Sequence, residues 1–218
     1  MSAHPLTAHL DNGLATLKLD LPAPARTQLL RYIDEMARWN TAYNLTAIRT
    51  PSEMVTRHLL DSLALLPVLQ ALPGYPEARL LDVGAGAGLP GIPLAIAEPR
   101  LRVTVLDSNG KKARFMRHAV RTLALGNVEV AESRVEDWKP AEPYAGIVSR
   151  AFAALADFVT ATGPLLARGG VWVAMKGKLD AAELAAVPAA VDIRETRRLR
   201  VPGLAEERHA VIAGLKSA

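Results

Sequence analysis

Three closely spaced glycines, preceded by an aspartate, are the residues of this chain best suited to hold a ligand. Gly84, Gly86 and Gly88 follow the apolar stretch Leu80-Leu81-Asp82-Val83 and precede a second apolar run. Glycine lets a backbone approach a ligand closely, and open α/β sheets bind ligands at the carboxyl ends of their strands. The pattern predicts a strand, loop and helix that cradle a cofactor, with a purely structural turn as the alternative.

The spacing of this loop argues against a dinucleotide. A dinucleotide-binding loop reads Gly-x-Gly-x-x-Gly, whereas Leu89 lies three residues after Gly86 here. The carboxylate of Asp82 would repel a pyrophosphate, but it can bind a cationic or amino-bearing ligand directly or through water. The loop therefore favours a methionine-type cofactor over a nicotinamide one.

Asp107 ends the next predicted strand, in Val103-Thr104-Val105-Leu106-Asp107-Ser108. An acidic side chain in this place can accept hydrogen bonds from both hydroxyls of a ribose. Alternatively, Asp107 or Ser108 caps the helix that follows. Together with the glycine loop, Asp107 favours a nucleoside-containing cofactor.

Two groups of cations could face nucleic acid. The helix after Asp107 has no acidic residue, and its apolar positions can form a buried face opposite an exposed basic one. Such a basic face is either a solvated surface or a rim that contacts RNA phosphates without reading bases. The two groups are Lys111, Lys112, Arg114, Arg117 and Arg121 on this helix, and Arg194, Arg197, Arg198 and Arg200 near the end of the chain.

Composition narrows the possible functions further. The chain has 218 residues, no cysteine and a net charge of +4, with 20 Lys and Arg against 15 Asp and Glu from Arg79 onward. Without cysteine there is no thiolate metal site and no sulfur nucleophile, which excludes the usual route of cytosine C5 methylation. The start, Met1-Ser2-Ala3-His4-Pro5, lacks a basic segment followed by an apolar run. We expect a cytoplasmic protein that has no metal site and does not contact a membrane.

The elements that must position these residues divide the chain in two. We predict a mainly helical extension over residues 1–75 and a cofactor-binding domain over residues 76–218. In the extension, Leu29, Ile33 and Met36 recur at helical spacing, and Thr50-Pro51-Ser52-Glu53 predicts a capping box that opens a second helix. Pro67 is expected to kink or end that helix.

From Arg79 onward, apolar runs suited to buried parallel strands alternate with helical patterns. A Pro202-Gly203 turn between two later runs predicts an antiparallel pair at one edge of the sheet. The expected fold class is α/β, a class I methyltransferase (Rossmann-like) doubly wound sheet that finishes with an antiparallel strand. The predicted strands are Leu80 to Val83, Arg102 to Leu106, Val128 to Val130, Ala145 to Val148, Val171 to Met175, Ile193 to Val201 and His209 to Leu215.

Over nearly its whole length the sequence resembles the bacterial 16S ribosomal RNA (guanine-527-N7)-methyltransferases, also called glucose-inhibited division protein B. Several of the shared segments lie outside the generic cofactor loop. They are Asn44-Leu45-Thr46-Ala47-Ile48, Arg57-His58-Leu59-Leu60-Asp61-Ser62, Asp82 to Leu94, Leu106-Asp107-Ser108, Ser149-Arg150-Ala151-Phe152 and Lys176-Gly177.

This resemblance implies methyl transfer from S-adenosylmethionine to guanine N7 in the 530 loop of small-subunit rRNA. It also implies cofactor contacts by Gly84 and Leu89, adenine contacts by Val135 and Glu136, and a cofactor-site role for Arg150. With the residues derived above, the predicted cofactor set is Gly84, Gly86, Gly88, Leu89, Asp107, Val135, Glu136 and Arg150. Two residues depart from the family pattern: Ala85 replaces a hydroxyl residue, and Val135 replaces a common alanine.

The chemistry needs no general base, because guanine N7 attacks with a lone pair and loses no proton. We therefore name no catalytic residue. The residues predicted to contact RNA are Arg57, Lys111, Arg114 and Lys176, with His58 as a weaker candidate. The predicted partner is 16S rRNA or the 30S subunit. We expect the protein to be a monomer. The alternatives are a methyltransferase for a small molecule or protein, and an RNA-binding module that has lost catalysis.

Overall fold

The computed structural model describes residues 4–150, 152 and 154–216. Residues 1–3, considered above as the start of the chain, lie outside the described part. So does Ala151 of the Ser149 to Phe152 segment, together with Ala153 and the last two residues.

The first part of the chain is helical, as predicted. Leu29, Ile33 and Met36 are fully buried on one face of the long second helix, which explains their spacing. The expected capping box is wrong, because the Thr50 hydroxyl donates to the Glu53 carboxylate at 2.6 Å and makes no cap to the backbone. The elements are α1 (Thr7–Leu17), α2 (Ala23–Tyr43), α3 (Pro51–Met54), a π-helical turn (Val55–Leu60), α4 (Asp61–Leu63) and α5 (Leu66–Leu69). Pro67 lies in the first turn of α5 and not at the end of α4.

The second part forms one seven-stranded sheet in the order β3-β2-β1-β4-β5-β7-β6. Strands β1 to β5 pair in parallel, and β7 runs antiparallel to both β5 and β6. The predicted doubly wound sheet with an antiparallel finish is confirmed. The strands are β1 (Arg79–Val83), β2 (Arg102–Leu106), β3 (Val128–Ala131), β4 (Tyr144–Ser149), β5 (Leu166–Lys176), β6 (Val191–Arg198) and β7 (His209–Leu215).

Helices cross between these strands, and a long loop joins β6 to β7. Strand β6 ends three residues earlier than predicted, and Pro202 and Gly203 lie within the loop of residues 199–208. Gly203 has a φ of +77°, and Leu204 N–H donates to Val201 O at 3.1 Å, which fits a turn that needs glycine at its third position. The helices are α6 (Gly91–Ala97), α7 (Gly110–Thr122), α8 (Leu155–Thr162) and α9 (Ala181–Ala185).

The helical extension packs directly on the sheet domain. Buried residues of α2 and of the helices α6 and α7 belong to one hydrophobic core, and the rings of Tyr32 and Phe115 lie 6.1 Å apart. This shared core fixes the extension beside the glycine loop. The division at residues 75 and 76 stays a prediction.

Two features are absent from the described ranges. None of the helices within them is both long enough and apolar enough to cross a membrane. In the same ranges, no group of three or more His, Asp or Glu side chains is placed to hold a metal ion.

Candidate functional site

The glycine loop lies where β1 ends, and its backbone depends on glycine. Gly84 and Gly86 have φ values of +69° and +62°, which favour glycine over other residues. Gly84 N–H donates to Leu106 O at 2.8 Å, tying the loop to the neighbouring strand β2. The nearest atoms to a Cβ built on Gly86 are Gly84 O and Lys112 Nζ, both 4.0 Å away, so this turn of the loop is not crowded.

Gly88 differs from the other two glycines. Its φ is +90°, and a Cβ there would overlap the side chain of Ile92 in the first turn of α6. Close packing of the loop on the helix therefore requires glycine at position 88. The predicted cofactor contact of Gly88 stays a prediction.

Asp107 ties the end of β2 to the glycine loop. One oxygen, Oδ2, accepts from Gly86 N–H at 2.9 Å, and the other, Oδ1, accepts from Asn109 N–H at 2.8 Å. The proposed capping of α7 by Asp107 or Ser108 is wrong, because Asn109 is the N-cap and accepts from the N–H groups of Lys111 and Lys112. Asp107 nevertheless lines a cavity, where it can reach a ligand.

Two small cavities meet at Gly84. The first has a volume of about 240 Å³ and brings Gly84 and Asp107 together with Val135 and Glu136. The second has a volume of about 230 Å³ and brings together Gly84, Gly86, Leu89 and Arg150. Seven of the eight predicted cofactor residues therefore line one elongated region along the carboxyl edge of the sheet. A groove of about 730 Å³, lined mainly by apolar side chains, continues from Val135 and Glu136.

Asp82 lies beneath this region. It is fully buried, and its Oδ2 accepts from Gly91 N–H at 2.7 Å, which fixes the start of α6. Burial raises the pKa of Asp82 to about 7, and the charge of Asp107 acts in the same direction. The structure thus gives Asp82 the task of holding the loop and leaves it no exposed surface for the direct ligand contact that the sequence suggested.

A third cavity, of about 380 Å³, adjoins the second and is lined by cations. It shares His58 and Arg150 with the second cavity, so these two side chains form the wall between them. The π-helical turn places His58 on this wall and Arg57 in the lining of the third cavity, and such turns occur often at functional sites. The lining comprises Ile48, Arg57, His58, Asp61, Arg150, Met175, Lys176, Gly177 and Arg208.

His58 is a neutral member of this wall. Its Nδ1 lies 3.0 Å from Arg57 O, and because a carbonyl only accepts, Nδ1 carries the proton. Its Nε2 then accepts from the Thr46 hydroxyl at 2.9 Å. Burial, with the nearby charge of Arg150, lowers the pKa of His58 to about 4.

Asp61 joins two arginines that are distant in the sequence. Its Oδ2 accepts from Arg150 Nη1 at 3.0 Å, and its Oδ1 accepts from Arg208 Nε at 3.2 Å. The Asp61 side chain is only 4% exposed, against 27% for Arg150 and 26% for Arg208. Burial raises the pKa of Asp61, although the two arginines act against this shift.

The predicted RNA-contacting residues fall into two places. Arg57 and Lys176 line the third cavity, where Arg57 pairs with Glu206 at 2.8 Å and Lys176 pairs with Glu183 at 2.6 Å. Lys111 and Arg114 are exposed on α7, outside the three cavities. The structure therefore separates a half-buried pair of cations, Arg57 and Lys176, from the exposed pair on α7.

Sequence reasoning missed three residues that organise the site: Tyr32, Asp61 and Arg208. The Tyr32 hydroxyl donates to Ala87 O at 2.5 Å, linking α2 to the glycine loop. Burial raises the pKa of Tyr32, so the hydroxyl keeps its proton. Asp61 lies within the shared segment Arg57 to Ser62, which offered a signal, whereas Arg208 stood in no motif.

Known proteins resemble this chain over most of its length. A family model described as GidB, rRNA small subunit methyltransferase G, matches residues 25–211. Ribosomal RNA small subunit methyltransferase G of Stenotrophomonas maltophilia (strain K279a) is 54% identical over 215 residues, which cover 97% of this chain and 98% of the relative. The protein of the same name from Chromohalobacter salexigens is 53% identical, covering 92% of this chain and 93% of the relative.

A solved structure also resembles the fold. TrmN from Thermus thermophilus superposes with a TM-score of 0.57 at 19% identity, covering 74% of this chain and 53% of that one. At this identity the similarity concerns the fold alone, and it agrees with the class I methyltransferase architecture expected from the sequence.

Proposed function

Because the chain belongs to the GidB family of small-subunit rRNA methyltransferases, we propose that it methylates N7 of guanine 527 in 16S rRNA. The methyl donor is S-adenosylmethionine, and the acceptor lies in the 530 loop of the small subunit. The observation that carries this proposal is the shared wall of His58 and Arg150, which sets a cation-lined cavity beside the glycine-loop cavity.

The residues around the first two cavities fit the parts of this cofactor. Asp107 offers carboxylate oxygens to the ribose hydroxyls, while Val135 and Glu136 border the same cavity and receive the adenine. Gly84, Gly86 and Leu89 hold the methionine part along the loop, with Arg150 beside them. Gly88 contributes by letting the loop pack closely on α6.

S-adenosylmethionine supplies a methyl group on a sulfonium, and guanine N7 supplies the electron pair. No proton is removed from N7, so the residues of the site serve alignment and electrostatics. His58 fits this task because its neutral ring donates to Arg57 O and adds no positive charge beside the reacting atoms. We accordingly assign no general base.

Two groups of cations bind the RNA, one next to the methyl donor and one farther from it. Arg57 and Lys176 contact it at the third cavity, and Lys111 and Arg114 contact its phosphates from the exposed face of α7. We further propose that the protein acts as a cytoplasmic monomer on 16S rRNA or on the 30S subunit.

Reductive cleavage tests the target. Methylation at N7 makes the purine ring cationic and reducible, so borohydride followed by aniline cuts the strand at that nucleotide. Unmodified 30S subunits and naked 16S rRNA, each incubated with the protein and S-adenosylmethionine, are compared with samples lacking the cofactor. We expect a cofactor-dependent cut at guanine 527. Labelled methyl groups that enter metabolite or protein fractions, with no cut in either RNA sample, would contradict the proposal.

A further inference from the structure

The third cavity contains a buried carboxylate paired with two arginines, and the proposed function gives this group no role. Asp61, 4% exposed, accepts one hydrogen bond from each of Arg150 and Arg208. The three side chains come from α4, from the segment after β4 and from the loop before β7. A buried carboxylate between two guanidinium groups fixes their orientation and leaves the group with one net positive charge.

The orientation of the arginines leaves them able to bind an anion. Each guanidinium has five N–H donors, more than the bonds to Asp61 require. Both side chains are about one-quarter exposed, and both line the cavity. Because a guanidinium matches the geometry of phosphate, this pair is suited to a phosphate group that enters the cavity.

The surroundings of the pair favour a nucleotide over a free anion. Ile48 and Met175 add apolar surface to the same cavity, which suits a base, and the volume of about 380 Å³ lies in the range of small-molecule sites. The wall of His58 and Arg150 borders the glycine-loop cavity, so a base bound here lies next to the methyl donor.

We propose that Arg150 and Arg208 bind one RNA phosphate adjacent to the target guanine, and that Asp61 is the positioning residue that holds both arginines. This inference rests on the proposed function and adds the phosphate site to it. The same cations could instead bind the carboxylate of the cofactor, so the test separates these two anions.

Arg208→Gln is the main test, because Arg208 lines only the third cavity whereas Arg150 also borders the glycine loop. Arg168→Gln makes the same charge change at an exposed position near the start of β5, at the opposite end of this strand from Arg208. For each variant, steady-state methylation of unmodified 30S subunits is measured over a range of salt concentrations. Calorimetry gives the affinity for S-adenosylhomocysteine.

For Arg208→Gln we expect the KM for 30S subunits to rise about tenfold to a hundredfold, the range for losing hydrogen bonds to a charged group. The negative slope of log(kcat/KM) against log salt should become less steep by roughly one. The affinity for S-adenosylhomocysteine should stay within about twofold of wild type, because the cofactor residues are intact. Arg208→Lys keeps the positive charge but loses the paired N–H donors of the guanidinium. It should therefore keep the wild-type salt slope and raise KM less than Arg208→Gln does.

Asp61→Asn tests the positioning role. It should raise KM as Arg208→Gln does with kcat nearly unchanged, and adding Arg208→Gln to it should have little further effect. If Asp61→Asn does not fold, the two Arg208 variants still decide the phosphate site.

Three results have distinct meanings. If wild type methylates 30S subunits and Arg208→Gln behaves like Arg168→Gln, the phosphate site is wrong and the proposed function stands. If Arg208→Gln weakens S-adenosylhomocysteine binding tenfold without raising KM, the anion is the cofactor carboxylate and the inference is overturned. If wild type does not methylate rRNA, the proposed function itself fails.

Discussion

Asp107, at the carboxyl end of β2, contacts both the backbone of the site and a cavity. It accepts hydrogen bonds from the backbone of Gly86 and Asn109, and it borders the cavity in which we place the adenosine. Asn109 caps α7, so Asp107 does not cap the helix itself, although it holds Asn109 and lies 3.7 Å from Lys112 Nζ in the first turn. Asp107 thus shapes the loop, and we expect it also to bind the ribose.

Asp107→Asn should weaken cofactor binding by about 1.5–3 kcal/mol, because one carboxylate acceptor becomes an amide donor. Methylation should persist at saturating S-adenosylmethionine. Calorimetric titration with S-adenosylhomocysteine measures the effect, and Asp137→Asn, at an exposed acid in the 3-10 turn Val135–Asp137, is the control. An unchanged dissociation constant for Asp107→Asn would refute the ribose contact.

Helix α7 has a buried apolar face and an exposed basic face. Ala113, Phe115, Met116 and Ala119 are buried against the core, which leaves the basic positions on the outside. Arg117 pairs with Glu132 at 2.7 Å, so its charge is partly compensated. Lys111 and Arg114, both exposed, are therefore the better residues for testing contact with RNA phosphates.

Lys111→Glu combined with Arg114→Glu should weaken binding of 16S rRNA and flatten its salt dependence, since fewer counterions are released. Cofactor affinity should stay nearly constant. The control is Arg102→Glu combined with Arg168→Glu, which changes the charge equally at exposed positions near the starts of β2 and β5. Equal RNA affinities and salt slopes for the two double variants would show that α7 does not contact RNA.

At the scale of the whole molecule, the helical extension completes the cofactor region. Tyr32 of α2 donates to Ala87 O, and His58 and Asp61 reach the cavities from the helices that follow. The extension therefore contributes directly to the site and is more than an appendage to the sheet.

Tyr32→Phe should lower the free energy of unfolding by about 1–3 kcal/mol, because it leaves a buried carbonyl without its donor. It should also weaken cofactor binding, since the glycine loop loses its link to α2. Urea denaturation and calorimetry measure the two effects. Tyr43→Phe, at the end of the same helix, serves as the control for loss of a hydroxyl. A fully stable Tyr32→Phe variant with wild-type cofactor affinity would argue against this coupling.

The sequence by itself determined the sheet, the glycine loop and the class of cofactor. Strands β2 and β7 have the predicted bounds, since runs of buried apolar residues and turn residues reflect the local backbone. The spacing of Gly84 and Gly86 likewise reflects a local need for positive φ.

Only the tertiary structure decided how distant side chains combine. Asp61 and Arg208 are 147 residues apart, and Tyr32 and Ala87 are 55 residues apart. Such contacts depend on how the helices pack on the sheet and on where the loop before β7 places Arg208, which no local pattern specifies. The same packing buries Asp82 and brings Ile92 so close to Gly88 that no side chain fits there. Burial is a property of the assembled core.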